Sequence, residues 1–270
     1  MDTGVYRWGQ LREQASRREI DEAIRDGRLI RLRHGWYATR AADPRVVRAV
    51  AAGGVVSCAS ALDAHGVWVP PSRRLHIRGN DARSRTRRDW CRCLGRQPAE
   101  DGAVDGIPTA LRHAAVCLPT EDFIVVCDSV LHLRLVTPAE LADLFSDAPR
   151  RIVDALGRCD GRAESGTETM VRVRLTSRRP RLRVRPQAYI DGVGRVDLLI
   201  GDALIVEVDG YAYHSDPETF ESDRLRDLRA RLVGYAPVRL TFAQVVYRWE
   251  VVEPLLAQLI ARGDHRRRRR

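Results

Sequence analysis

Lysine is missing from this chain: all 46 basic residues are arginine. No mechanism that requires a catalytic lysine can operate from it. GC-rich coding accounts for so complete a preference without any functional cause. Long apolar runs are also missing, and none approaches the ~20 residues a membrane-spanning helix needs. The first residues are polar and Arg-rich, which predicts no secretory signal. The six cysteines (Cys58, Cys91, Cys93, Cys117, Cys127, Cys159) are scattered. Only Cys91-Arg92-Cys93 is closely spaced, and no second pair follows at zinc-ligand spacing. Cys117 and Cys127 lie in apolar runs and read as small core residues. Free thiols without an export signal predict a cytoplasmic protein, nucleoid-associated when bound to DNA, with no membrane partner.

What is present suits two or three domains: 270 residues, 44% of them hydrophobic. The formal net charge is +10, which favours a polyanionic partner. Arg266 to Arg270 supply five of the 46 arginines, and the remaining 41 still outnumber the 36 acids.

Residues 1–42 read as a helix followed by a hairpin. Ile20, Ala23 and Ile24 fall at helical spacing, Gly27 is placed as a C-terminal cap, and strand-like runs flank Arg33-His34-Gly35. That order predicts a winged helix-turn-helix, with Arg17, Arg18, Arg28, Arg31 and Arg33 on DNA phosphates. Residues 43–160 form an α/β connector with helices predicted over 122–131 and 137–145, the latter opened by Thr137-Pro138-Ala139-Glu140. Within the connector, Arg73 to Arg96 holds nine arginines and two acids, as either a DNA-facing ribbon or a solvated loop. An Arg-rich tail covers 263–270.

"REIDEAIRDGRLIRLRHGWYA" (18–38) and "VVSCASALDAHGV" (55–67) resemble the N-terminal part of AbiEi-type antitoxins. The resemblance covers about the first quarter of the chain and implies DNA binding, with a toxin or a second copy of the chain as further partner.

Residues 161–262 hold the chemistry. The predicted order is a helix from Ser165, strands at 181–190, 194–200 and 204–209, a helix over 216–232 with an apolar stripe (Phe220, Leu225, Leu228, Leu232), a strand at 236–241 and a last helix over 249–261. Asp197, Glu207 and Asp209 sit in strands otherwise apolar enough to be core. Burying ionised carboxylates is expensive unless they are paired, neutralised or bound to metal. Glu207 and Asp209, two apart, share a strand face. Asp197 joins them only if Ile200 pairs with Leu204 across a three-residue turn, because a one-residue slip inverts every side chain.

The set Asp197, Glu207-Val208-Asp209-Gly210, His214 and Asp223-Arg224-Leu225-Arg226-Asp227, with Glu168 upstream and "GYAPVRLT" (234–241) downstream, resembles the PD-(D/E)XK nuclease superfamily, most closely its very-short-patch-repair-like branch. It implies a fold class of α/β multidomain type: an N-terminal winged helix-turn-helix, a mixed α/β connector and a C-terminal restriction-endonuclease-like α/β core. It also implies a DNA endonuclease in repair or defence. Asp197, Glu207 and Asp209 would hold Mg²⁺ (or Mn²⁺), and Glu168 and His214 would assist. The superfamily's usual lysine is replaced by Asp209, so positive charge must come from arginine or a protonated histidine: Arg181, Arg183 and Arg185 on one strand face and His214, with Asp223, Arg224 and Arg239 in secondary roles. The rival expectation is a non-catalytic DNA-binding regulator or antitoxin with a degenerate nuclease-like domain.

Overall fold

The computed structural model describes residues 2–80, 87–209 and 217–267. It divides into two compact units, Met1–Val126 with Leu135–Gly157 and Cys127–Arg134 with Arg158–Arg270. Residues 1–42 share a unit with most of the connector, and the short segment Cys127–Arg134 belongs with the C-terminal unit.

In the first unit, strands β1 (Val5–Arg7), β2 (Leu29–Arg33) and β3 (Trp36–Thr39) make an antiparallel sheet in the order β1-β3-β2. The helix Arg17–Arg25 packs Ile20 and Ala23 inward. Its start is fixed by a reciprocal cap: the Glu19 amide donates to the Ser16 hydroxyl, and the Ser16 amide donates to the Glu19 carboxylate at 2.7 Å. Three-residue β1 and the seven-residue helix Trp8–Gln14 carry too little periodicity to be read from sequence.

Strand β4 (Val55–Val56) pairs with β5 (Ile77–Arg78). Within the Arg-rich segment 81–86 lie outside the described residues, and Arg78 is only 1% exposed. Its guanidinium donates twice to Asp105, both at 2.6 Å, and once each to the carbonyls of Pro98 and Ala99. Trp90, twelve residues further on, is also buried, and Arg87 lies over the indole. The predicted helices of the connector are present as Thr120–His132 and Pro138–Leu144, the latter with the full Thr137/Glu140 capping box.

The second unit is built on four strands, β6 (Val184–Ile190), β7 (Gly194–Ile200), β8 (Leu204–Asp209) and β9 (Ala236–Thr241), in that spatial order. The first two pairings are antiparallel and β8–β9 is parallel. The helix Gly166–Arg178 is buried along most of its length. It is anchored by buried Asp128, which accepts from Arg172 at 2.6 Å, from the Thr169 hydroxyl at 2.8 Å and from the Asp160 amide at 2.6 Å. Those bonds explain why Cys127–Arg134 folds with this unit.

Two expectations are corrected here. Strand β6 begins at Val184, so Arg181 and Arg183 precede it and do not line a strand face with Arg185. On the helix Pro217–Leu232 three residues of the expected stripe, Leu225, Leu228 and Leu232, are exposed, and the side chain of Phe220 lies outside the described residues. The helix buries Ala230 against Val196, Leu199 and Ile205 instead, which turns Arg226 and Asp227 toward the sheet. Among the described residues no helix is long and apolar enough to cross a membrane.

The Arg78–Asp105 pair yields a stability prediction. Asp105→Ala leaves a buried guanidinium uncompensated and should cost about 3–5 kcal/mol of stability in the first unit, read by denaturant unfolding. A loss below about 1 kcal/mol would show that the pair is not holding this unit together.

Candidate functional site

The site is set by one turn. Ile200 pairs with Leu204 across Gly201-Asp202-Ala203, and Leu199↔Ile205 and Leu198↔Val206 follow in register. The turn is therefore of odd length, as the carboxylate site requires. Gly201 has φ +60°, and a Cβ there would meet the His265 carbonyl oxygen at 2.3 Å, so both backbone and space demand glycine. The Asp202 amide donates to that same carbonyl at 2.8 Å.

Continuing the register places Asp197 opposite Glu207, and on the other side β6 brings Gln187 opposite Asp197. The regular ladder stops at Leu198↔Val206. Beyond it the Asp197 amide donates to the Glu207 carboxylate at 3.3 Å, and the Val208 amide donates to the Asp197 carboxylate at 2.8 Å. Each carboxylate thus takes an amide of the other's strand, and the strand ends are held by acid groups rather than by carbonyls.

Glu168 reaches this row from the first turn of its helix. Its carboxylate accepts from the Ser165 hydroxyl at 2.8 Å, from Gln187 Nε2 at 2.9 Å and from the Glu164 amide at 3.1 Å. Gln187 adopts φ +51°, a left-handed conformation costly for a residue with a side chain. Sequence reading missed Gln187, and only its place in the β6 register would have pointed to it.

Burial and mutual repulsion dominate the electrostatics. Glu207 is only 6% exposed, and desolvation followed by the Asp197 charge raises its pKa to about 7 against the opposing pull of Arg226. Desolvation and Asp197 also raise Glu168, while its hydrogen bonds hold it back. Positive charge comes from the helix Pro217–Leu232 and from β9. Arg226 pairs with Glu207 and also donates to the Arg195 carbonyl. Arg239 reaches Asp227 at 3.0 Å and Asp209 at 3.4 Å. Arg224 lies 3.8 Å from Asp227.

The donor set is hard oxygen, which suits Mg²⁺ or Mn²⁺. Among the described residues the carboxylates do not close into a three-ligand cage. Asp197 comes from β7, and Glu207 and Asp209 come from the neighbouring β8.

The structure brings together Asp197 and Glu207, with Glu168 near Asp197, while Arg239 ties Asp209 to Asp227. His214 lies outside the described residues, as does the side chain of Asp223. In the first unit, Arg18 and Arg28 are exposed and pair with Glu22 and Asp26, and Arg31 is exposed on β2. Arg33 is largely buried and bonded within the unit. It donates to Glu100 at 2.7 Å and to the carbonyls of Gly53 and Gly54, and it stacks on Trp36. Arg183 is exposed beside Asp202, and Arg185 is half-buried.

Comparison with family models, with curated proteins and with solved structures finds no match.

The raised Glu207 makes stability depend on pH in a defined direction. The folded state holds this proton more tightly than the unfolded chain, whose value is near 4.5. Its contribution is therefore full below pH 4.5 and is lost as pH rises through about 7. Without added magnesium or manganese, Glu207→Gln should gain on the wild type by on the order of 3 kcal/mol between pH 4.5 and 8. Parallel stability–pH curves for the two proteins would contradict the assignment.

Proposed function

We propose that this protein is a DNA-binding, divalent-metal-dependent endonuclease that hydrolyses phosphodiester bonds. The observation that carries the reading is the register of Asp197 against Glu207 across an odd-length turn, with Glu168 held beside them. The element order of the second unit, helix, three strands, helix, strand, agrees with a restriction-endonuclease-like core. The net charge of +10, with exposed Arg18, Arg28 and Arg31 around the first sheet, supports a nucleic-acid partner and a winged-helix role for the N-terminal elements.

In this mechanism Asp197 and Glu207 would hold the cation, and Asp209 would complete the site. Bound Mg²⁺ would activate water and polarise the phosphoryl oxygen. Glu168, fixed by three accepted hydrogen bonds, orients the attacking water. Arg226 and Arg239 offset phosphate charge where other such sites use lysine. Arginine suits that duty because its planar fork matches two phosphate oxygens, though it cannot give up a proton as lysine can.

A second reading has its own observation. Arg226 sits directly on Glu207, so a guanidinium occupies one oxygen that a cation would use. A non-catalytic regulator or antitoxin would keep this pair as structure.

Nicking of supercoiled plasmid with Mg²⁺ or Mn²⁺ separates the two. The wild type should cut, and Asp197→Ala and Glu207→Ala should each lose on the order of 100-fold or more. Equal residual cutting in all three would sink the enzyme reading. No cutting, with a salt-dependent gel shift untouched by both substitutions, would establish the regulator.

A further inference from the structure

Four side chains far apart in sequence converge in the first unit: Cys58, His76, Cys91 and Cys117. Their ligand atoms all lie within 4.8 Å of one another. Cys58 opens the helix Cys58–Ala64, His76 immediately precedes β5, Cys91 follows Trp90, and Cys117 ends the helix Ile107–Cys117. Backbone bonds clamp the contributing segments together. The Ser57 amide donates to the His76 carbonyl at 2.9 Å, the His76 amide donates to the Ser60 hydroxyl at 2.9 Å, and the Cys91 amide donates to the Ile77 carbonyl at 2.8 Å.

The spacing fits one tetrahedral ion. Zinc bonds of about 2.3 Å to sulfur and 2.0–2.1 Å to nitrogen give tetrahedral edges of roughly 3.8 Å between sulfurs and 3.5 Å from sulfur to nitrogen. Cys91 and Cys117 sulfurs stand 3.5 Å apart, and each lies 3.5 Å from His76 Nδ1. An iron–sulfur cluster would need its ligands spread around several atoms of iron and sulfide. Two buried thiols and a half-buried one would by themselves pass as small core residues. A buried imidazole aimed at two of the sulfurs has no such explanation. Cys58 also adopts φ +51°, a strained conformation for a residue with a Cβ.

We infer that Cys58, His76, Cys91 and Cys117 form a structural zinc site of the Cys₃His type. With four protein ligands the shell is closed, so the ion binds no water or substrate and acts as a crosslink. It ties two helices to the β5 segment around a pocket with Cys58 and Cys91 fully buried and His76 nearly so. Thiolates select a soft cation here, as the carboxylates of the second unit select a hard one. The neighbouring Cys93 stays outside, its thiol donating to the Leu94 carbonyl.

The test is elemental analysis of the full chain, purified reduced on a metal-free resin. The expected result is about one zinc per chain. Cobalt exchanged into the wild type should give tetrahedral d–d bands and a thiolate-to-cobalt charge-transfer band. Cys117→Ser should weaken zinc binding by 10-fold or more, while Cys93→Ser and Cys127→Ser keep it. Folded wild type that takes up no zinc when zinc is supplied would overturn the inference. So would iron with acid-labile sulfide, or equal zinc affinity in the wild type and Cys117→Ser. Because metal content and the cobalt spectrum are read on the wild type, a variant that fails to fold does not decide the outcome.

Discussion

The carboxylate site depends on the parity of one turn. Three residues, Gly201 to Ala203, join β7 to β8, and a turn of two would send Asp197 to the opposite face from Glu207. The turn is held from outside: the His265 carbonyl accepts from Asp202 and leaves no room for a side chain at position 201. Residues near the end of the chain thus help set the register that brings the two acids together 50 and more residues earlier. The same register carries Gln187 into the row, and Gln187 in turn holds Glu168.

Around that row the chain solves its charge problem with arginine alone. Arg226 and Arg239 come from the helix and strand that follow the acids, and each is tied to more than one group, so they are positioned as well as charged. Placing them inward has a visible consequence. The helix Pro217–Leu232 turns its Arg226–Ala230 side to the sheet and leaves Leu225, Leu228 and Leu232 in solvent. Hydrophobic periodicity predicted the opposite orientation, because it weighs burial of leucine and cannot see that the sheet offers a carboxylate.

Much of the second unit was legible in the sequence for a simple reason. Its strands are apolar runs interrupted by acids that have no business in a core, and the turn between them is short enough to count. Gln187 was invisible because its role comes from cross-strand register and an unusual backbone angle. The Cys₃His group was invisible for a different reason. Zinc patterns are recognised when two ligands share a short loop, and here every ligand comes from its own segment, 15 or more residues from the next. Conversely, the one close pair, Cys91 and Cys93, splits, with only Cys91 joining the group. Arg33 and Arg78 looked like surface charge in composition, yet both donate to backbone carbonyls and a carboxylate inside the first unit.

The central claim, that Asp197 and Glu207 form a hard-cation site, is tested most directly by titrating Mn²⁺ into the protein and following free Mn²⁺ by electron paramagnetic resonance. The account predicts saturable binding that Asp197→Asn and Glu207→Gln each weaken by at least about 10-fold and that Cys117→Ser leaves unchanged. Binding that is absent, or equal in the wild type and both carboxylate variants, would contradict it.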